Sequence, residues 1–474
     1  GGLFVPDTQV RLDHEEIVSL SKMDYMERAV FILRRFLDDY TDAELAECVS
    51  GAYGSGKFDD SRIAPVVKLS ENAYMLELWH GPTCAFKDVA LQLLPRLLVK
   101  ANRKTSEKCE TVILVATSGD TGKAALEGFR DVEGTRIIVF FPEDGVSQVQ
   151  KKQMVTQEGS NVYVIGVRGN FDDAQSGVKA IFSDEELGRD MLRNGFRFSS
   201  ANSINWGRLV PQIVYYFSAY ADLLAAGEIR EGEKINITVP TGNFGNILAS
   251  WYAREMGLPV NNLICASNEN NVLTEFINTG IYNREREFKK TISPSMDILV
   301  SSNLERLLFE LAGRDAEQVR DWMDRLKREG RYAIYGEEKR KLNEMYWAQY
   351  STEEETLETI REVYEEYGYL ADPHTAVGID VYEKYVIATG DMTKTVIAST
   401  ASPFKFNRSV ASAVFGEDRI AGMDEFELLD VLSRHCGFPV PPALAGLAQK
   451  PVLHDTVCKR EDMKEQVVQI LGLE

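Results

Sequence analysis

Short apolar runs alternate with longer mixed segments along most of the chain. Thr111-Val-Ile-Leu-Val-Ala116 lacks polar alternation, the pattern of a strand buried on both faces. Arg136-Ile-Ile-Val-Phe-Phe141 and Asn161-Val-Tyr-Val-Ile165 repeat it, with helical stretches at 123–130 and 146–157. Lys234–Val239, Asn262–Ala266 and Thr395–Ala398 predict later strands of the same kind. Strands alternating with helices predict parallel sheets covered by helices on both faces. The first seventy-odd residues read differently. Met26, Val30, Phe31, Leu33 and Phe36 recur at helical spacing, and Thr41-Asp-Ala-Glu44 forms a capping box before the next helix. A loop is expected at 51–56.

These patterns divide the chain into a helical N-terminal accessory domain (1–78), a small α/β domain (101–210) and a large domain (79–100 and 211–474). Residues 300–368 are helical and highly charged and read as an insertion in the large domain, while the region after 420 is helical again. The fold class is α/β, with two doubly wound parallel-sheet domains.

Charge narrows the partners. A net charge of −20 argues against nucleic acid and against an anionic membrane surface, both of which require clustered positive charge. An anionic substrate would need a local positive site built against that background. The six cysteines are scattered without Cys-x-x-Cys spacing, and the five histidines lack metal-ligand spacing, so reduced thiols, a cytoplasmic setting and no metal are expected. No segment approaches a membrane span of about 20 apolar residues, and no secretory signal pattern opens the sequence.

In open parallel sheets, ligands bind at the carboxyl ends of the strands. Three such junctions here are polar. Ala116-Thr-Ser118-Gly119-Asp120-Thr121-Gly122 could turn the Ser118, Gly119 and Thr121 amides toward a carboxylate, although alone it reads equally as an N-capped turn. Gly242-Asn243-Phe244-Gly245-Asn246 could form a nest for a phosphate. It lacks the lysine of a nucleotide-binding P-loop. A dinucleotide site with Glu269 as the ribose acid is a weak rival, because the spacing is Gly-x-x-Gly. Ser399-Thr400-Ala-Ser-Pro-Phe-Lys-Phe406 ends the third junction. Arg208 is a fork for a phosphate or carboxylate. His374 reads as helix-start architecture behind Asp372 and Pro373. Lys87 follows a Gly-Pro turn at the start of an apolar helix, where the helix dipole and partial burial both favour a neutral, nucleophilic amine. A lone lysine and a phosphate nest suit a cofactor with an aldehyde and a phosphate, which pyridoxal phosphate has.

Together, Gly1–Pro6, His80–Asp88, Ala116–Gly122, Ser199–Tyr216, Pro240–Asn246, Asp372–Ala376 and Ser399–Phe406 resemble the longer microbial and fungal class of threonine synthases, on the fold-type II (tryptophan synthase β-like) architecture. The resemblance covers the chain from end to end. It implies Lys87 as the lysine that links pyridoxal 5'-phosphate and shuttles protons, and Gly242–Asn246 as the phosphate cradle. It implies Thr400 at the pyridine nitrogen and Asp120 as a cofactor or substrate contact; shorter relatives have asparagine at that position. Ser118, Gly119 and Thr121 would take the substrate carboxylate, and Thr83, Ser203, Asn205 and Arg208 would lie near the substrate phosphate. The implied reaction, carbon–oxygen lysis on a phosphate ester, converts O-phospho-L-homoserine and water to L-threonine and phosphate, in a monomer or homodimer. Relatives usually carry a further segment before Gly1. A phospholyase releasing a 2-oxo acid and a non-catalytic scaffold are the alternative readings.

Overall fold

Runs without polar alternation form the parallel strands of two sheets. The computed structural model describes residues 2–54, 56–143 and 146–473. β1 (Val66–Lys68) and β2 (Ala73–Glu77) make an antiparallel pair at the edge of the first sheet. β3 (Glu110–Ala116), β4 (Thr135–Pro142), β5 (Val162–Arg168) and β6 (Phe196–Ser199) then build a second, parallel sheet. The chain returns to the first sheet with β7 (Ile235–Pro240) and β8 (Val260–Ser267). β9 (Ile281–Asn283) and β10 (Arg331–Ala333) form a separate antiparallel pair. β11 (Tyr346–Tyr350) and β12 (Thr395–Ser399) complete the first sheet, whose order is β1-β2-β12-β7-β8-β11. The last strand, β13 (Val457–Lys459), joins the second sheet, giving β13-β5-β4-β3-β6.

The helices that matter for the site are α1 (His14–Ser19), α2 (Tyr25–Leu33), α3 (Asp42–Tyr53), α4 (Lys87–Lys104), α5 (Asp120–Phe129), α6 (Gln148–Val155), α7 (Phe171–Phe182), α8 (Glu185–Arg193), α9 (Trp206–Ala225) and α10 (Gly245–Glu255). The Thr41–Glu44 capping box forms as expected. α3 runs through Gly51, where a loop was expected, because the apolar positions Val49, Ala52 and Tyr53 continue its buried face. Part of that expected loop, Ser55, lies outside the described residues.

Four departures from the sequence reading share one cause: short strands take their stability from the neighbour they pair with. β1 and β2 lie inside the stretch expected to be helical, and β2 is buried along its whole length. The helical insertion at 300–368 contains β11, an edge strand in register with β8. β6 precedes the polar Ser200–Asn205 stretch and pairs with β3. The C-terminal region, expected with the large domain, returns through β13 to the second sheet, where Cys458, Met463, Val467 and Leu471 pack against β3, β4 and β5. The N-terminal helices are not set apart either. Ile32, Leu33, Leu45 and Val49 share one apolar core with residues of α9, α10 and β7. Among the described residues, no helix is long and apolar enough to cross a membrane.

Candidate active site

The carboxyl ends of β3, β7 and β12 carry the three polar junctions into one region. Lys87 occupies the first position of α4. Two non-glycine residues with positive φ, Cys84 (60°) and Phe244 (63°), stand just ahead of α4 and α10 respectively. Such conformations are costly and persist only where the surroundings impose them. The lysine turn is held against β12's end by backbone hydrogen bonds from Phe86 N to Thr400 O (2.8 Å) and from Ser402 N to Cys84 O (3.1 Å).

The Lys87 ammonium is 7% exposed and donates to Ser295 Oγ (3.2 Å) and Asp120 Oδ2 (3.4 Å), with the Phe86 ring 4.8 Å away. Burial lowers its pKa; Asp120 works against that, while Lys405 and Arg208 add to it. Asp120 opens α5 at the end of the β3 junction. Its Oδ1 accepts from Gln150 Nε2 of α6 (2.8 Å) and pairs with Lys405 Nζ (2.9 Å). Burial alone would push this carboxyl up, but the charges of Lys405 and then Lys87 hold it well below the usual carboxylate range. Gly119 has φ 139°, and a Cβ there would lie 2.6 Å from the Gln150 side chain. Only glycine allows both the turn and the Gln150 contact.

The second junction is a concave loop braced from behind. Ser301 Oγ donates to Gly242 O (2.8 Å), and the Asn303 backbone and side chain both donate to Asn243 O (3.1 and 3.0 Å). In a trans peptide N–H and C=O point opposite ways, so engaging these carbonyls turns the Asn243 and Phe244 amides away from the brace. A Cβ on Gly242 would meet Ser295 O at 2.7 Å and Met296 Cα at 3.1 Å. The 291–297 segment therefore passes directly over the loop. Tyr215 and Tyr216 hydroxyls donate to Asn246 Oδ1 (2.5 and 2.6 Å), leaving the buried Asn246 Nδ2 without a partner. A buried amide donor without an acceptor is costly and marks a place for an anion or polar ligand.

Arg208, on the first turn of α9, is 3% exposed and donates from Nη1 to Ala201 O (3.0 Å), while its Nε has no partner among the described residues. Burial brings its pKa down to about 10. Ser203 Oγ lies 3.3 Å from Ser302 Oγ, which donates to Asn243 Oδ1 (3.1 Å), linking the loop before α9 to the nest.

Three residues expected at the substrate are engaged elsewhere. Thr83 Oγ1 donates to Asp88 Oδ1 (2.6 Å) and its backbone N–H to Asp88 Oδ2 (2.8 Å), so this hydroxyl holds a buried carboxylate. Asn205 caps α9, its Oδ1 accepting from Gly207 N (2.9 Å). The Gly119 amide donates to Thr117 Oγ1 (3.0 Å). Ser118 is exposed at the mouth of the turn, Thr121 is half-buried behind it, and Thr400 is buried at the end of β12. Glu269 is half-buried and pairs with Lys289 (2.8 Å), which engages the acid that the dinucleotide reading needs for a ribose.

Sequence reasoning missed Ser295, Gln150 and Lys405. Ser295 is placed by a network at the end of β8. Asn268 Nδ2 donates to Thr291 Oγ1 (2.9 Å) and Asp297 Oδ1 (2.8 Å), and Asn270 Nδ2 also reaches Asp297 Oδ1 (2.9 Å). Ser295 N donates to His374 Nε2 (3.1 Å), and His374 Nδ1 meets Asp372 Oδ1 (2.7 Å). Nε2 therefore accepts, which puts the imidazole proton on Nδ1 facing Asp372. Asp372 also caps the helix Pro373–Thr389, so the expected helix start is there, with His374 reaching the site through Ser295. A hint of Lys405 lay in the sequence as a lysine inside an otherwise polar and apolar strand-end motif; Ser295 left none.

Comparisons with known proteins agree along the chain. Residues 62–335 match the family described as pyridoxal-phosphate dependent enzyme, residues 1–53 the threonine synthase N terminus, and residues 375–468 the threonine synthase C-terminal region. Human threonine synthase-like 1 is 43% identical over 424 residues, covering 87% of this chain and 56% of that protein. The chain thus spans little more than half the length of that relative. Threonine synthase from Pseudomonas aeruginosa is 41% identical over 418 residues, 88% of this chain and 86% of its own. The crystal structure of pyridoxal-phosphate-bound threonine synthase from Brucella melitensis superposes with a TM-score of 0.87 at 37% identity, covering 99% of this chain and 94% of that one. The chain belongs to the threonine synthase family of pyridoxal-phosphate-dependent enzymes.

Proposed function

We propose that this chain converts O-phospho-L-homoserine and water to L-threonine and phosphate. The observation that carries the reading is Arg208, a buried guanidinium with an unpartnered Nε, within electrostatic reach of the Lys87 amine. An amine and an unanswered cation in one dry site suit a substrate with an amino group and a phosphate.

The residues present fit the cofactor. Lys87 offers the amine, Gly242–Asn246 a braced nest with one orphaned amide donor, and Thr400 a position at the end of β12 beside the lysine turn. When bound, pyridoxal phosphate supplies the electron sink that makes protons next to the substrate nitrogen acidic. The chain's own residues do the rest. Lys87 Nζ, its pKa lowered by burial, takes and returns protons at the substrate carbons. Ser295 Oγ orients that nitrogen, and His374 Nε2 fixes the Ser295 backbone. Arg208 and Ser203 bind the departing phosphate, and Ser118 and Thr121 take the carboxylate end. Lys87 alone touches the reacting atoms; Thr83 and Asn205 act through the elements they hold. A cytoplasmic setting, suggested by six free cysteines, and a monomer or homodimer complete the reading.

Purified protein with O-phospho-L-homoserine tests it by following threonine, 2-oxobutyrate and phosphate together. Equal threonine and phosphate are expected, with Lys87→Ala lowering the rate by about a thousandfold. Phosphate with 2-oxobutyrate in place of threonine would make the chain a phospholyase.

A further inference from the structure

We infer that Lys405 is a positioning residue: it is the counter-ion that holds the Asp120 carboxylate in place and aimed at Lys87. The inference rests on reading Lys87 as the cofactor's lysine.

Lys405 sits in the short 3-10 turn Pro403–Phe406 that follows β12, and its side chain is fully buried. Its ammonium has two partners of different kinds, the Thr83 carbonyl (2.8 Å) and Asp120 Oδ1 (2.9 Å). A buried ammonium is tolerated only when paired and hydrogen-bonded, and these two contacts supply both.

The two lysines on Asp120 differ. Lys405 and Gln150 hold Oδ1 at 2.9 and 2.8 Å, while Lys87 and Ser295 approach Oδ2 only at 3.4 Å each. The tight side is therefore the side that does no chemistry. Lys87 must lose and regain protons, and its attraction for Asp120 varies with them. Lys405 has no such task. Other ionisable groups facing the cluster are Asp88, whose carboxyl burial pushes up to about 6 although Thr83 and Lys405 oppose it, and His374, across from Asp120. Cys84 lies beside Lys405, with its thiol pushed up by burial to about 12 and so neutral.

The contact also joins parts. Asp120 belongs to the junction of the second sheet, Lys405 to that of the first, and Thr83 to the lysine turn. One ammonium thus fixes the relative position of all three.

Two readouts on the cofactor-loaded protein test this: the unfolding midpoint, and the visible absorbance of the bound cofactor across pH. Lys405→Met and Asp120→Asn should each lower the midpoint, and the double variant should lose clearly less than the sum of the two. A lysine that only fills space would give additive losses. Lys405→Met removes a positive charge, so the absorbance transition should move to higher pH by about one unit, a tenfold change in proton affinity. Asp120→Asn should move it to lower pH, and the double variant should return it near the parent. Additive unfolding losses, or a Lys405→Met absorbance profile that overlays the parent, would overturn the inference. If Lys405→Met does not fold, recovery of folding in the double variant supports the pair, and failure of the double variant beside a folded Asp120→Asn overturns it. A parent protein without visible absorbance would sink the functional reading instead, leaving the unfolding cycle to decide the pair.

Discussion

Arg208 and His80 show how a side chain's surroundings decide what it does. Among the described residues no carboxylate pairs with Arg208, so its burial is a stability cost that a bound anion would relieve. Arg208→Met should therefore keep or raise the unfolding midpoint of the ligand-free protein. On the proposed reaction it should weaken use of O-phospho-L-homoserine by about 1.5–3 kcal/mol, roughly ten- to a hundredfold in kcat/KM. Initial rates and thermal melts measure the two effects; parallel losses in both would make Arg208 a structural residue. His80 is the opposite case. Burial works against its charge, but Asp59 (2.6 Å from Nδ1) and Glu77 (2.9 Å from Nε2) hold its pKa up to about 9. A folded pKa above the unfolded one gives stability that is fully present below about pH 6.5 and is lost as pH rises through 9. Melts across pH should show His80→Gln less stable than the parent near neutrality, with the gap closing above that range. A gap independent of pH would mean that the loss is one of packing. At this scale the sequence displayed Lys87, Arg208 and the nest, because each sits in a run of glycines, hydroxyls or helix-start residues. Ser295, Gln150 and Lys405 stand in unremarkable company, and only their neighbours in space give them a role.

Elements set the precision of the site. α4 carries Lys87 at its start and crosses α5, which carries Asp120 at its own. The two helices meet at Gly128, where an added Cβ would collide with the Leu91 carbonyl oxygen of α4. A glycine-to-alanine change inside a helix gains up to about 1 kcal/mol in propensity. Here the obstacle is backbone, which cannot swing aside, and overpacking of that kind costs about 1–3 kcal/mol. Gly128→Ala should therefore destabilise the fold in chemical denaturation and lower turnover, since it moves α4 against α5. A stabilised variant with full activity would show that the helices slide freely. The long strands β3, β4, β7 and β8 were legible because burial on both faces writes an uninterrupted apolar run. β1, β6, β11 and β13, of three to five residues, were not. A strand that short exists only through its partner.

Across the whole molecule the chain crosses between its two sheets three times, and the last crossing returns the C-terminus to the second sheet. The final helix, Met463–Leu471, buries Met463, Val467 and Leu471 against that sheet. Val467→Asp should destabilise the protein by more than about 4 kcal/mol, a buried unpaired charge in a core, read as loss of soluble folded protein. Tolerance of that change would make the tail a peripheral addition. The overall charge of −20 encloses a site whose own side chains include three buried cations, Lys87, Arg208 and Lys405. The sequence by itself determined the class of fold and the family, and marked Lys87 and the 242–246 loop as candidates, because strand periodicity and glycine-rich junctions are local and leave a pattern in consecutive residues. Tertiary structure alone decided that Thr83 serves Asp88, that Asn205 caps a helix, that Lys405 joins Thr83 to Asp120, and that Ser295 faces Lys87. Those relations join residues as far apart as 322 positions, and they arise only when the strand ends of two sheets are folded against each other.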